Sequence, residues 1–147
     1  MNSFREYVEH CQPLPWTITK SHKNKWLEGN HSLVINYVRF KLIMDAVKRV
    51  FSSSKEILDV GVYPGTVPQL YYEYFPGPGK YRYYGLGLGF TNAFSKKMKE
   101  YGVELLECDL DPRLKLDNGR MTVIPLEEET VDSIIVTDII EHFYDPF

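Results

Sequence analysis

Cysteine is scarce in this chain of 147 residues, and the two present, Cys11 and Cys108, have no spacing that suits a metal ion. Two are also too few for the disulfide framework of a small secreted domain, so a reducing, cytoplasmic setting is expected. Long hydrophobic runs are missing as well: no stretch of about 18 apolar residues occurs, so no membrane span is expected. The N-terminus carries Arg5, Glu6 and Glu9 where a secretory signal would be apolar. Nor does one sign of charge dominate. The formal net charge is −3 and the basic residues are dispersed, apart from small groups such as Lys96, Lys97 and Lys99, so no nucleic-acid partner is expected. Internal repeats and low-complexity segments are absent. What remains, at 44% hydrophobic and 25% charged, is the composition of one soluble globular domain with a core.

Residues 1–31 are aromatic and polar without clean periodicity, and read as an N-terminal extension or cap of short helices and loop. The domain proper spans residues 32–147. Within it Phe40, Ile43, Met44, Val47, Val50 and Phe51 repeat at steps of three and four, which predicts an amphipathic helix. Ser52 to Ser54 end it. Glu56 to Val60 is too short for a helix and runs at once into Gly61 and Gly65, the pattern of a buried strand entering a tight loop. A helix over Val67 to Phe75 follows, with Thr66 as its cap and Pro68 in its first turn, where a missing N–H costs nothing. Tyr81 to Leu86 is the second strand. Asn92 to Tyr101 is a helix capped by Thr91 and stopped by Gly102, and Val103 to Cys108 is the third strand. Asp109 to Thr130 reads as loop with a short extended piece at Met121 to Ile124, before a fourth strand at Val131 to Val136. Strands separated by helices or long crossovers must pair in parallel, so the fold class is α/β: a Rossmann-like three-layer sandwich.

In a parallel open sheet ligands bind at the carboxyl ends of the strands, where the strand order reverses. The residues leaving each strand therefore carry the functional expectation. After the first stands DVGVYPGT, Asp59 to Thr66, whose glycines let backbone approach a ligand; a tight turn without ligand produces the same pattern. After the second, YGLGLGF from Tyr84 to Phe90 permits close approach of a flat group such as adenine, or is simply a bend. After the third, Asp109 could accept a hydrogen bond from an adenine amino group, or join Asp111 in capping a turn. After the fourth, Asp138, Glu141 and His142 stand close together, and His142 has the pKa range of a proton acceptor at neutral pH, though such a residue more commonly hydrogen-bonds a neighbour.

In this order the four segments resemble class I S-adenosylmethionine-dependent methyltransferases, over about Phe40 to Phe147. EILDVGVYPGT is similar to their first motif, YYGLGLG to the second, ECDLD to the third, and IPLEEETVDSIIVTDIIEHFYDP to the fourth. The resemblance implies a sheet built in the order 3-2-1-4 and S-adenosyl-L-methionine as cofactor. Asp59, Gly61 and Gly65 would face its methionine part, with Val62, Tyr63 and Pro64 forming the loop beneath. Leu86 and Gly87 would lie in the second motif's segment, and Asp109 and Leu110 would meet the adenine. Thr137 and Asp138 would stand below the methionine and sulfonium, with Glu141 and His142 on the substrate side. The sulfonium is already a strong methyl donor, so alignment of the acceptor outweighs covalent catalysis.

Three departures accompany the resemblance. Tyr63 stands where the family has glycine, so its ring must point away from the cofactor or partly fill the pocket. Gly87 stands where the family has an acid holding both ribose hydroxyls, a charge-assisted contact worth about 1.5 to 3 kcal/mol unless Thr91, Asn92 or a backbone group compensates. The chain also stops just after the fourth strand of a family sheet that has seven, ordered 3-2-1-4-5-7-6. An incomplete methyltransferase fold is therefore expected, with an exposed fourth strand that implies either a truncated chain or a homo-oligomer joined there. The expected function is methyl transfer to a small-molecule or lipid-like acceptor by a full-length parent whose cofactor half this chain carries. The alternative is a degenerate, non-catalytic module of the same fold kept for binding or assembly. A nicotinamide-binding half is a third reading, set back by the absence of the G-x-G-x-x-G spacing. The N-terminal extension would serve as a lid over the site or as a packing strap.

Overall fold

A computed structural model describes residues 3–10, 14, 37–51, 54–74, 81–110, 123–137 and 139. Four helices and four strands are seen: α1 (Phe4–His10), α2 (Tyr37–Phe51), β1 (Glu56–Val60), α3 (Thr66–Tyr74), β2 (Arg82–Gly87), α4 (Asn92–Glu100), β3 (Val103–Glu107) and β4 (Ser133–Val136). The strands form one sheet in the order β3-β2-β1-β4, and every pairing is parallel. The central strand β1 sets Asp59 beside Gly85 of β2 on one side and Ile135 of β4 on the other.

Strand side chains alternate between faces, and each face has its own core. Ile57, Tyr83 and Val103 join Phe40, Met44 and Val47 of α2, Leu70 and Tyr71 of α3, and Phe94 and Met98 of α4. Leu58, Val60, Tyr84, Leu86 and Leu106 form the second core. Handedness explains the division. The steps β1–α3–β2 and β2–α4–β3 move the same way across the sheet, so right-handed crossovers leave both helices on one face. The return from β3 to β4 runs the other way and must pass over the opposite face, where Ile124, Leu126 and Val131 pack on the second core. Among the described residues that face is covered by irregular chain, so the second helical layer of a three-layer sandwich is not among them.

Local signals account for most boundaries. Thr91 caps α4 by accepting the Phe94 N–H at 3.2 Å, and Gly102, at φ +72°, ends it. α3 differs from expectation. Thr66 is its first helical residue, and Gly65 takes the cap position, with its carbonyl accepting the Gln69 N–H at 3.0 Å. β4 is shorter than expected because Asp132 leaves the strand to accept N–H groups of Lys55 and Glu56, at 2.8 and 3.0 Å. That anchor, with the Ser54–Ser133 hydroxyl hydrogen bond, ties the start of β4 to the start of β1. Val123 and Ile124 are not strand; Met121 and Thr122 lie outside the described residues. β4 is the edge of the sheet, with Ile134 61% and Val136 50% exposed. Of the N-terminal extension, α1 and Leu14 are described, and they act as a strap: Phe4 and Leu14 are buried in the first core, with Phe4 against Tyr37 and Tyr74. No described helix is long and apolar enough to cross a membrane.

Candidate ligand site

Because all four strands are parallel, their carboxyl ends share one edge, and the order reverses between β1 and β4. Connections leave those two strands in opposite directions, which opens a crevice. Here it is a cavity of about 280 Å³. Asp59, Gly61, Val62, Tyr63 and Pro64 form its β1 side, and Thr137 lines it beyond β4. Thr66 and Val67 come from the first turn of α3, and Arg39 and Phe40 from the first turns of α2.

The loop after β1 is bent by its glycines. Gly61 and Gly65 hold φ values of +80° and +87°, where other residues are strained. The N–H groups of Gly61 and Val62 both donate to the Leu86 carbonyl at 2.9 and 3.0 Å, which binds the loop to the end of β2. A side chain at position 61 would also collide with Ile139, whose Cδ1 lies 2.9 Å from where a Cβ would stand. Val62 turns inward to the core, whereas Tyr63 leans out over the rim, 55% exposed, with its ring centre 5.4 Å from that of Phe94.

Asp59 is the chemically unusual member. Its carboxylate is 1% exposed and accepts the Tyr83 hydroxyl at 2.8 Å. Burial raises its pKa to about 7, with the Tyr83 hydrogen bond opposing part of that rise. Burial, and then the neighbouring Asp59, push the Tyr83 hydroxyl well above its ordinary value. Arg39 stands on the same cavity with its guanidinium 5.2 Å from the centre of the Phe40 ring. A carboxyl group and a guanidinium thus line one small apolar-walled space.

The other expected residues divide. Gly87 and Asp109 end β2 and follow β3 on the same sheet edge, joined by the Cys108 N–H to Gly87 carbonyl bond at 3.1 Å. Leu86 has its side chain fully buried in the second core, and Leu110 packs against that core too. These four do not line the cavity. Asp111, Asp138, Glu141 and His142 lie outside the described residues. Comparison with known proteins gives one result. No family model, curated protein or solved structure matches this chain.

The residues missed from the sequence are Arg39, Phe40 and Val67. Arg39 reads there as one more charge on the solvated face of an amphipathic helix. A signal did exist: a helix that leads directly into a parallel strand runs back along it, so its first turn falls at the strand's carboxyl end.

Proposed function

We propose that this chain binds S-adenosylmethionine and belongs to a class I methyltransferase of Rossmann-like fold, acting on a small-molecule or lipid-like acceptor. The observation that carries the reading is the pairing of Asp59 with Arg39 across a cavity at the reversal of strand order. An α-amino acid end needs an acceptor for its ammonium and a donor for its carboxylate. Those two side chains have that chemistry, and Arg39 offers the planar fork suited to a carboxylate. Gly61 brings backbone to the cavity without a side chain, and the hydroxyls of Thr66 and Thr137 add polar contacts. The bound sulfonium would supply an activated methyl group. The protein's part is to fix the amino acid end, exclude water with Phe40 and Val67, and hold the donor still for an incoming acceptor.

Calorimetric titration with S-adenosylhomocysteine is the test. Binding that weakens at least about tenfold in Arg39→Met is expected, from the cost of removing one member of a charge-assisted pair. No heat at millimolar ligand would overturn the proposal. A second reading, a binding module without catalysis, is favoured by Tyr63 on the rim and Gly87 at the end of β2. It predicts the same titration with no methyl transfer to any acceptor.

A further inference from the structure

The ligand's path out of the cavity has a feature that the loop after β2 creates. Gly87 ends β2 with ordinary backbone angles, yet a Cβ there would stand 3.0 and 3.1 Å from Cε1 and Cζ of Phe90. The chain folds back after the strand and lays that ring over the glycine. Phe90 is stacked on Phe94, with ring centres 5.3 Å apart and planes inclined by 11°, and Tyr63 meets the same Phe94. Phe94 is wholly buried, Phe90 half-buried and Tyr63 exposed. The three rings form a row from the cavity rim to the end of β2. Beside Gly87 in the parallel register stands Glu107, whose Oε1 accepts the Phe90 N–H at 3.4 Å.

We infer that this aromatic row, in place of a carboxylate, receives the nucleoside half of the ligand, so that recognition is of a flat ring system and is indifferent to the sugar's vicinal hydroxyls. The inference rests on the S-adenosylmethionine reading. A ring at the end of β2 has no acceptor to offer a diol, and a carboxylate side chain at position 87 would have to displace it. Aromatic faces instead favour stacking and apolar contact, which ignore the hydroxyl pattern. The ligand class is therefore an adenosyl or similar heteroaromatic nucleoside joined to an amino acid end, with ribose, deoxyribose or dideoxyribose accepted alike.

The experiment compares S-adenosylhomocysteine with its 2′,3′-dideoxy analogue by calorimetry on the wild-type chain. Affinities within about threefold of each other are expected, because no charge-assisted bond to the diol is lost. A dideoxy analogue weaker by about tenfold or more would overturn the inference while leaving the cofactor reading intact. Absence of binding by both would overturn the cofactor reading and this inference with it. The double variant Gly87→Asp/Phe90→Ala removes the ring and supplies the acid. It is expected to open a preference of about tenfold for the ligand that keeps its hydroxyls. A double variant that binds S-adenosylhomocysteine but stays indifferent would count against the ring as the cause.

Discussion

Burial of Asp59 ties the stability of the fold to the chemistry of the cavity. Its pKa stands at about 7 in the folded chain, against an ordinary 3.8 in the unfolded one. Between those values the folded state binds the proton and the unfolded state does not, so stability is full below pH 4 or so and is lost as pH rises through about 7. At about 1.4 kcal/mol for each pKa unit, the loss is on the order of a few kcal/mol. Asp132 works with the opposite sign. Two backbone N–H groups hold its pKa below the ordinary value, and its contribution is lost as pH falls. Asp59→Asn retains an acceptor for the Tyr83 hydroxyl and cannot ionise. Urea unfolding should therefore find it more stable than wild type at about pH 8 and nearly equal to it at about pH 5, while its affinity for a cationic ligand falls at least tenfold. Equal destabilisation at both pH values would contradict the burial argument. Asp59 was legible in the sequence as a strand-end acid before a glycine turn. Its shift was not, because it depends on Tyr83, 24 residues away and one strand over.

The helices are joined by contacts that no local pattern foretells. Glu73 in α3 accepts the Tyr7 hydroxyl of the strap at 2.6 Å, the Tyr101 hydroxyl after α4 at 2.7 Å, and the Gln69 amide at 3.3 Å. Burial and then this carboxylate push the Tyr101 hydroxyl up, so it stays a donor at any physiological pH. Removing the acceptor leaves a hydroxyl of a buried residue stranded. Glu73→Ala should cost about 1 to 3 kcal/mol in urea unfolding and Glu73→Gln distinctly less, since an amide oxygen still accepts. A loss in Glu73→Ala below about 0.5 kcal/mol would mean that the strap and α4 hold their places without it. Element type, by contrast, was readable wherever the signal was local. The period of α2, the short apolar run of β1 and the Thr91 cap each decided one element. Thr66 misled because the preceding Gly65 could take the cap position, and the turn's geometry gave it that place.

At the scale of the molecule the strand order follows from connection lengths and crossover handedness, which is why 3-2-1-4 could be read before any contact was known. The fate of the Gly87 end of β2 could not, since it hangs on how residues 88–91 fold back. The same topology leaves β4 as a short edge whose outer hydrogen-bonding groups face no described strand, with Ile134 and Val136 exposed on one side. Apolar side chains on an open edge favour pairing with another strand, and in a solution of this chain alone the available partner is β4 of a second copy. A two-fold axis would set the edges antiparallel and make the contact self-complementary. Light scattering on wild type should therefore give a mass that rises with concentration towards a dimer. Ile134→Lys puts a charge on the exposed side chain of that edge without touching the cavity lining, and it is expected to return the monomer mass with ligand affinity unchanged. A wild-type chain that stays monomeric across the concentration range would show that this edge does not drive association.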